Sequence, residues 1–573
     1  MTGVGEVADK RTENAKLEGS SLGQQAPTKH GPILKKVGRE RSKPEIVIGL
    51  VGPVGTDLHA LATLIEEKMA AFKYRCEKVR VSALIRSMCD EKLSEHLNNI
   101  KGGERTRLLM NAGDFLRGQS DKGDALVPLI VAAIRAARVE FNKEDGVTED
   151  IHAENACYIV DSLKHPDEIS TLRRLYGSGF ILVSAFDAVD SRTSKLQRDI
   201  AKENVSTDLE RYRKEAVNLI NIDSKRPGGG IGQNVRDSFP LGDFFVRVAG
   251  DYEIKVGRFI DLLFGSPYLT PYRYEYFMFE ASAASLRSVD LSRQIGAVIV
   301  SPQNEIVSSG CNDVPMAGGG TYWPDDPASL DNRDFKTGQD FNSVKKFDII
   351  NEMLKFLEDN NLYKRTSEDD PAEITRQLVT GKFKSTFKEL RISNLIEFGR
   401  VVHAEMFALM RAAQRGISVD NSTIFSTTFP CHMCARHIIA SGITKVIYIE
   451  PYPKSMTSEL FPESVMIDHK DFATDDSGKR LEGMPTAITT VRFEPYEGVA
   501  PRLYGPLFRA PDSRKDSQGY TVNWQRAFAK PKIFELPDSN LQVERRIALG
   551  LDSLPKVGLE ACLPSQGEQD NAG

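Results

Sequence analysis

Apolar and polar positions change rhythm several times along this chain, and the changes mark out its parts. The run EIVIGL (45–50) is apolar without alternation, which predicts a strand covered on both faces; the glycine-rich turn GLVGPVGTD (49–57) overlaps its end. CEKVRVSALI, ACYIVDSL, GFILVSAF and DFFVRVAG repeat the strand-like pattern, and helical segments such as ALVPLIVAAIRAARVEF stand between them. Strands alternating with helices predict a doubly wound, parallel α/β domain over 44–265.

A second pattern starts near 270. YEYFMFEASAASLRS is helical, and QIGAVIVSPQNEIVSSGCN is a hairpin turning at SPQNE. Helix HAEMFALMRAAQRG, strand STIFSTTF, helix CHMCARHIIASG and strand KVIYIEP follow, predicting an α/β domain with a mixed sheet over 270–510. A polar and helical insertion at 316–400 interrupts it, with NSVKKFDIINEMLKFLEDNN as its clearest helix. Residues 1–43 are polar and lysine-rich toward their end, and read as a disordered tail; 511–573 form a C-terminal extension whose end, PSQGEQDNAG, is also expected to be disordered.

Composition narrows the classes. At 573 residues the chain exceeds one ordinary domain, and 40% apolar with 27% charged residues is a globular balance. The net charge of −5 supplies no global basic field for nucleic acid. Nowhere do 18 or more apolar residues run together, and the N-terminus lacks the apolar core of a secretory signal, so no membrane partner is expected. Seven cysteines, sparse and odd in number, point to a reducing cytoplasm.

The chemistry concentrates in HAE (403–405), PCHMC (430–434) and GCN (310–312). Cys431 and Cys434, three apart at a helix start, place both sulfurs on one face, where the helix N-terminus favours thiolates. His403 completes three ligands, and three protein ligands leave a fourth position for water, the arrangement of a catalytic zinc site. Glu405 stands two residues from His403 and shares a cavity with it only where the chain enters the helix; there it can shuttle protons. H-x-E with P-C-x-x-C is the known signature of zinc nucleobase deaminases.

HAEMFAL with TTFPCHMCARHI resembles the cytidine and deoxycytidylate deaminases, which attack C4 of cytosine and release ammonia. The resemblance implies His403, Cys431 and Cys434 as zinc ligands and Glu405 as the catalytic proton shuttle. SLRSVDLSRQIGAVIVSPQNEIVSSGCNDVP is similar to the deoxycytidylate branch, which implies Asn312 at the sugar hydroxyl and the backbone of Phe429 and Pro430 at the base edge. Arg287 and Arg293 are candidate 5′-phosphate cations, because guanidinium forks suit phosphate oxygens. YIEPYPKSMTSELFPESV follows the same branch, with Tyr452 and Lys454 at the rim.

GLVGPVGTD begins like a phosphate-binding loop but does not continue as one. Counted from Gly52, Asp57 takes the place of the second glycine, Leu58 that of the lysine and His59 that of the Ser/Thr, so both charged roles are missing. YIVDSLKHPDEISTLRRLYGSGFILV nevertheless is similar to small nucleotide kinases, with Asp161 at the magnesium side, and DSRTSKLQRD to their lid. A degenerate nucleotide site is expected from Gly49, Gly52, Gly55, Thr56 and Asp161, using backbone amides.

A doubly wound P-loop kinase-like domain followed by a cytidine-deaminase-like α/β/α domain resembles bacterial antiviral deaminases acting on deoxycytidine nucleotides; FEPYEGVAPRLYGPLF agrees. That resemblance implies zinc as cofactor, dCTP and dCMP as substrates, dCTP depletion during phage infection, a regulatory nucleotide or RNA at the first domain, and a homo-oligomer. A salvage enzyme restricted to dCMP, and a nucleic-acid-editing or RNA-binding protein, remain alternatives.

Overall fold

In β1 (Ile46–Val51) every residue is buried, and its side chains divide by parity. Val47 and Val51 pack on one face with Tyr158, Val160 and Leu182. Ile46, Ile48 and Leu50 pack on the other with Ile159, Ile181 and Val183. An unbroken apolar run is what a strand needs when both faces are covered. With β2 (Arg75–Arg80), β3 (Ala156–Asp161), β4 (Phe180–Phe186) and β5 (Phe244–Arg247) it forms a sheet in the order 2-3-1-4-5, all pairs parallel. Helices Val127–Glu144 and Pro166–Tyr176 cover one face, and Leu58–Ala70 and Tyr252–Leu263 the other. This is the arrangement the alternating pattern predicts.

The structure is a computed structural model describing residues 43–224, 231–363, 370–388, 390–452, 454–467, 490–510, 513–532, 536–537 and 539–563. The expected tail, apart from Lys43, and the chain end at 564–573 lie outside these residues. No helix among those described is long and apolar enough to cross a membrane.

The second sheet holds β6 (Gly296–Val300), β7 (Ile306–Cys311), β8 (Thr423–Thr428), β9 (Lys445–Glu450), β10 (Val465–Ile467) and β11 (Val491–Pro495) in the order 10-11-9-8-6-7. β6 runs antiparallel to β7 and β8, and the other pairs are parallel. Helix Ala404–Gln414 lies directly on β7 because Gly310 has no side chain; a Cβ there would stand 2.3 Å from the Ala404 carbonyl oxygen. Phe277, Met278 and Ala281 of helix Arg273–Ser285 close the opposite face against Val298, Phe425 and Ile447.

Lys43–Gly573 make one compact unit. β12 (Gly498–Val499) adds antiparallel to the outer edge of β5, making the first sheet mixed. Local pattern could not show this, because the strand is two residues long and comes from far downstream. Buried carboxylates reinforce the join. Asp243 accepts from Leu182 N (2.9 Å), Arg173 (3.1 Å) and Arg502 Nε (2.9 Å). Glu275 accepts from both ends of the Arg258 guanidinium and from Val499 N (3.0 Å). Arg138 lies between Glu45 (Nε to Oε1, 2.7 Å) and Glu544 (Nη2 to Oε1, 2.8 Å), tying the downstream helix Ser539–Ala548 to the first sheet.

Candidate active site

His403 and Cys431 occupy equivalent places on two helices. Each is the N-cap residue, with extended backbone (φ −66°, ψ 152° and φ −67°, ψ 162°), ahead of Ala404–Gln414 and His432–Ala440 respectively. A cap residue is not yet on the helical spiral, so His403 can turn into the space that Glu405, already in the first turn, also faces. Cys434 lies one turn along from Cys431. The His403 Nδ1 stands 3.2 Å from the Cys431 Sγ and 3.5 Å from the Cys434 Sγ. One ligand atom from each of the three falls within 4.8 Å of the others, the sole such group of three or more among the described residues.

The donor set fits zinc. Bonds of about 2.3 Å to sulfur and about 2.0 Å to nitrogen, spread tetrahedrally, give ligand-to-ligand edges of about 3.5 Å, close to the observed spacings. Two helix N-termini pointing at one spot add positive potential. Hydrogen bonding from Cys434, then from His403, holds the Cys431 thiol down to about 4. His403, facing that sulfur, is raised to about 9. Cys434 is pushed well up by sharing its hydrogen bond with Cys431 and by burial.

Glu405 is 4% exposed, and its Oε1 accepts a hydrogen bond from Ser426 Oγ at 3.2 Å. Burial, then the neighbouring Cys431 sulfur, pushes its carboxyl above the usual range. A carboxyl so placed can hold a proton and release it again. Ser426, on β8, went unnoticed in the sequence, where it is one hydroxyl among several in STIFSTTF.

The other candidates each have partners of their own. Asn312 is buried, its Oδ1 accepting from Ile295 N and its Nδ2 donating to the Arg293 carbonyl, both at 2.7 Å. Arg293 also pairs with Glu450 (2.6 Å). Arg287 donates to Thr321 Oγ1 (2.9 Å) and stacks on Trp323, 3.5 Å from the ring centroid, so the start of the insertion lies against this arginine. Phe429 packs edge-on against Tyr448, and the Pro430 carbonyl accepts from Ser455 Oγ at 2.9 Å. Asp313, paired through its backbone with Val402, is a second buried carboxylate that sequence reading passed over. Its Oδ2 has no hydrogen-bond partner among the described residues, Arg333 of the insertion being 3.9 Å away. The signal was the acid directly after Asn312 in GCNDVP.

The loop of the first sheet lies apart from these residues in sequence. Gly49 is inside β1, and Asp57 caps helix Leu58–Ala70 while pairing with Lys195 (2.9 Å). Gly52 gives its carbonyl to Lys164 Nζ at 2.9 Å, and the same ammonium reaches Asp223 Oδ1, also at 2.9 Å. Asp223, fully buried, accepts from Val54 N at 2.6 Å. Gly55 has φ +89°, and a Cβ there would meet Arg192 at 2.8 Å. Thr56 Oγ1 is buried without a partner among the described residues, and burial raises the Asp161 carboxyl at the end of β3. The loop thus holds a carboxylate of its own chain on one of its amides.

Residues 271–450 match the family model described as the cytidine and deoxycytidylate deaminase zinc-binding region. Deoxycytidylate deaminase of Enterobacteria phage T2 is 43% identical over 54 residues, which cover 9% of this chain and 29% of that protein. A probable deoxycytidylate deaminase of Drosophila melanogaster is 26% identical over 200 residues, 34% of this chain and 70% of that one. ComE operon protein 2 of Bacillus subtilis is 36% identical over 66 residues, 11% and 35% of the two chains. The chain thus spans less than a third of the phage relative. Among solved structures, dCMP deaminase from the cyanophage S-TIM5 aligns with 17% identity over 40% of this chain and 100% of its own, at a TM-score of 0.19. The second half of this chain therefore carries a zinc-binding region of the cytidine and deoxycytidylate deaminase type.

Proposed function

We propose that the protein hydrolytically deaminates deoxycytidine nucleotides, dCTP together with dCMP, to deoxyuridine nucleotides and ammonia. The observation that carries this reading is the buried Glu405 carboxyl, held by Ser426 beside the His403–Cys431–Cys434 group. Zinc bound by those three residues supplies a Lewis acid that makes water acidic near neutral pH. Glu405 takes a proton from the attacking water and delivers it to N3 of the ring. Water oxygen bonds to C4, the C4–N bond breaks, and a second proton passed through Glu405 leaves with the amine as ammonia. Ser426 keeps the carboxylate aimed, and in this reading the base edge meets the Phe429–Pro430 backbone.

The same reading gives the first half a controlling role, exercised through a nucleotide or RNA, in a homo-oligomer that depletes dCTP during phage infection. What supports control is contact: β12 pairs with β5, and Glu275 accepts from Arg258, so both tie the half carrying the site to the other. The test is purified protein assayed for ammonia release from dCTP, dCMP, CTP and a cytosine-bearing single-stranded oligonucleotide. Glu405→Gln is expected to lower kcat at least 10²-fold, with zinc content by elemental analysis unchanged. Turnover surviving that substitution would overturn the mechanism; action on the oligonucleotide alone would overturn the substrate.

A further inference from the structure

Around the loop that leaves β9, side-chain contacts gather cations from three distant parts of the chain. Ser455 Oγ fastens this loop to the Pro430 carbonyl, next to Cys431. Lys454, exposed, precedes it. Arg391 of the insertion pairs with Glu459 at 3.9 Å, drawing residues 390–394 to the same place. There Ser393 Oγ donates to the Lys388 carbonyl (2.9 Å), and Lys346 Nζ donates to the Ser393 carbonyl (3.4 Å), so the two lysines share one residue. From the first half, Arg236 stands three residues before Phe239, which packs against the same apolar cluster as Ile449 at the end of β9. Arg293, whose carbonyl accepts from Asn312 Nδ2, brings its guanidinium to Glu450 at the end of β9.

Charge decides what this cluster is for. Arg293 is neutralised by Glu450 and Arg236 by Asp237. Among the described residues neither Lys388 nor Lys454 forms an ion pair, and the Lys346 ammonium meets only a carbonyl. Partial burial, then Lys346, Lys388, Arg236 and Arg293, depress the Lys454 ammonium below the ordinary lysine range. Like charges gathered at one mouth repel, and a bound anion relieves that repulsion.

We infer that Lys346, Lys388 and Lys454, flanked by Arg236 and Arg293, hold the β- and γ-phosphates of a nucleoside triphosphate whose base reaches Glu405. This rests on the deamination reading and adds phosphate number to it. The insertion then serves as the arm that carries two of the three lysines, and the first half contributes one cation to the rim. A monophosphate ends short of the lysines and gains little from them.

The test measures kcat/KM for dCTP and for dCMP on the zinc-loaded full chain and on Lys388→Ala, Lys346→Ala and the double variant. All substitutions are at or near the surface, and thermal melting checks their folding. The dCTP/dCMP ratio is expected to fall at least tenfold in the double variant, through KM. Calorimetric titration of dCTP into Glu405→Gln is expected to weaken by the same factor when the lysines are removed, and inorganic triphosphate is expected to compete with dCTP. An unchanged ratio, or triphosphate altering kcat without competing, overturns the inference and leaves deamination standing. If the zinc-loaded chain deaminates neither nucleotide, deamination itself falls and this subsite with it.

Discussion

His403 and Glu405 show how a two-residue spacing can serve one cavity. On a regular helix they would diverge by about 200°; because His403 is a cap, its direction is set by the preceding loop and not by the spiral. This much was legible, since an acid two places after a histidine makes a shared site only at a helix start. Ser426 was not legible, because its meaning depends on β8 passing beside that helix. Ser426→Ala is expected to lower kcat about tenfold with zinc content unchanged, as a hydrogen bond to a carboxylate is worth about 1.5–3 kcal/mol. Ser426→Thr, which keeps the hydroxyl, is expected to restore most of that loss in the same steady-state assay.

Elements hold these residues where they are. Helix Ala404–Gln414 can carry His403 to the cysteines only by lying against β7, and Gly310 permits the contact. Gly310→Ala is expected to push the helix outward. Overpacking costs typically 1–3 kcal/mol, to be seen as a lower Tm, and zinc stoichiometry should drop well below that of the parent. Most strands and helices were readable because unbroken or periodic apolar runs report burial directly. The insertion's part was not. Its links, such as Arg287 to Thr321, join single side chains across unrelated segments and leave no period in the sequence. At the phosphate-like loop strand, turn and helix are all present, and the Val54 amide donates to Asp223, a partner far along the chain that no local pattern names.

At the scale of the whole molecule, stability leans on buried ions that join remote segments. Burial alone would raise the Glu45 carboxyl, but Arg138 and His152 hold it at about 2, against 4.5 when unperturbed. A carboxylate held down in this way contributes its stability above the unfolded value and loses it as pH falls toward the folded one. A shift of this size corresponds to on the order of 3 kcal/mol. Melting followed from pH 7 to pH 2 should therefore show Tm falling through the window from about 4.5 to 2. Glu45→Gln should start lower and fall less steeply there. Glu544→Ala leaves Arg138 buried with one partner fewer, and is expected to cost about 3–5 kcal/mol by chemical denaturation. None of this was legible, since Glu45, Arg138 and Glu544 look like ordinary surface charges until the fold brings them together.

β12 carries a consequence for synthesis. A ribosome completes all five parallel strands of the first sheet when it reaches Arg247, yet Glu497, which binds the Arg247 amide beside β12, is 250 residues further on. At about 5–20 residues per second, the outer edge of β5 waits roughly 12–50 s for its partner, and Arg138 waits for Glu544 across 406 residues. An open strand edge is a template for pairing with other chains. The nascent protein therefore spends much of its translation with a nearly finished sheet whose open edge only the far-downstream β12 can cover.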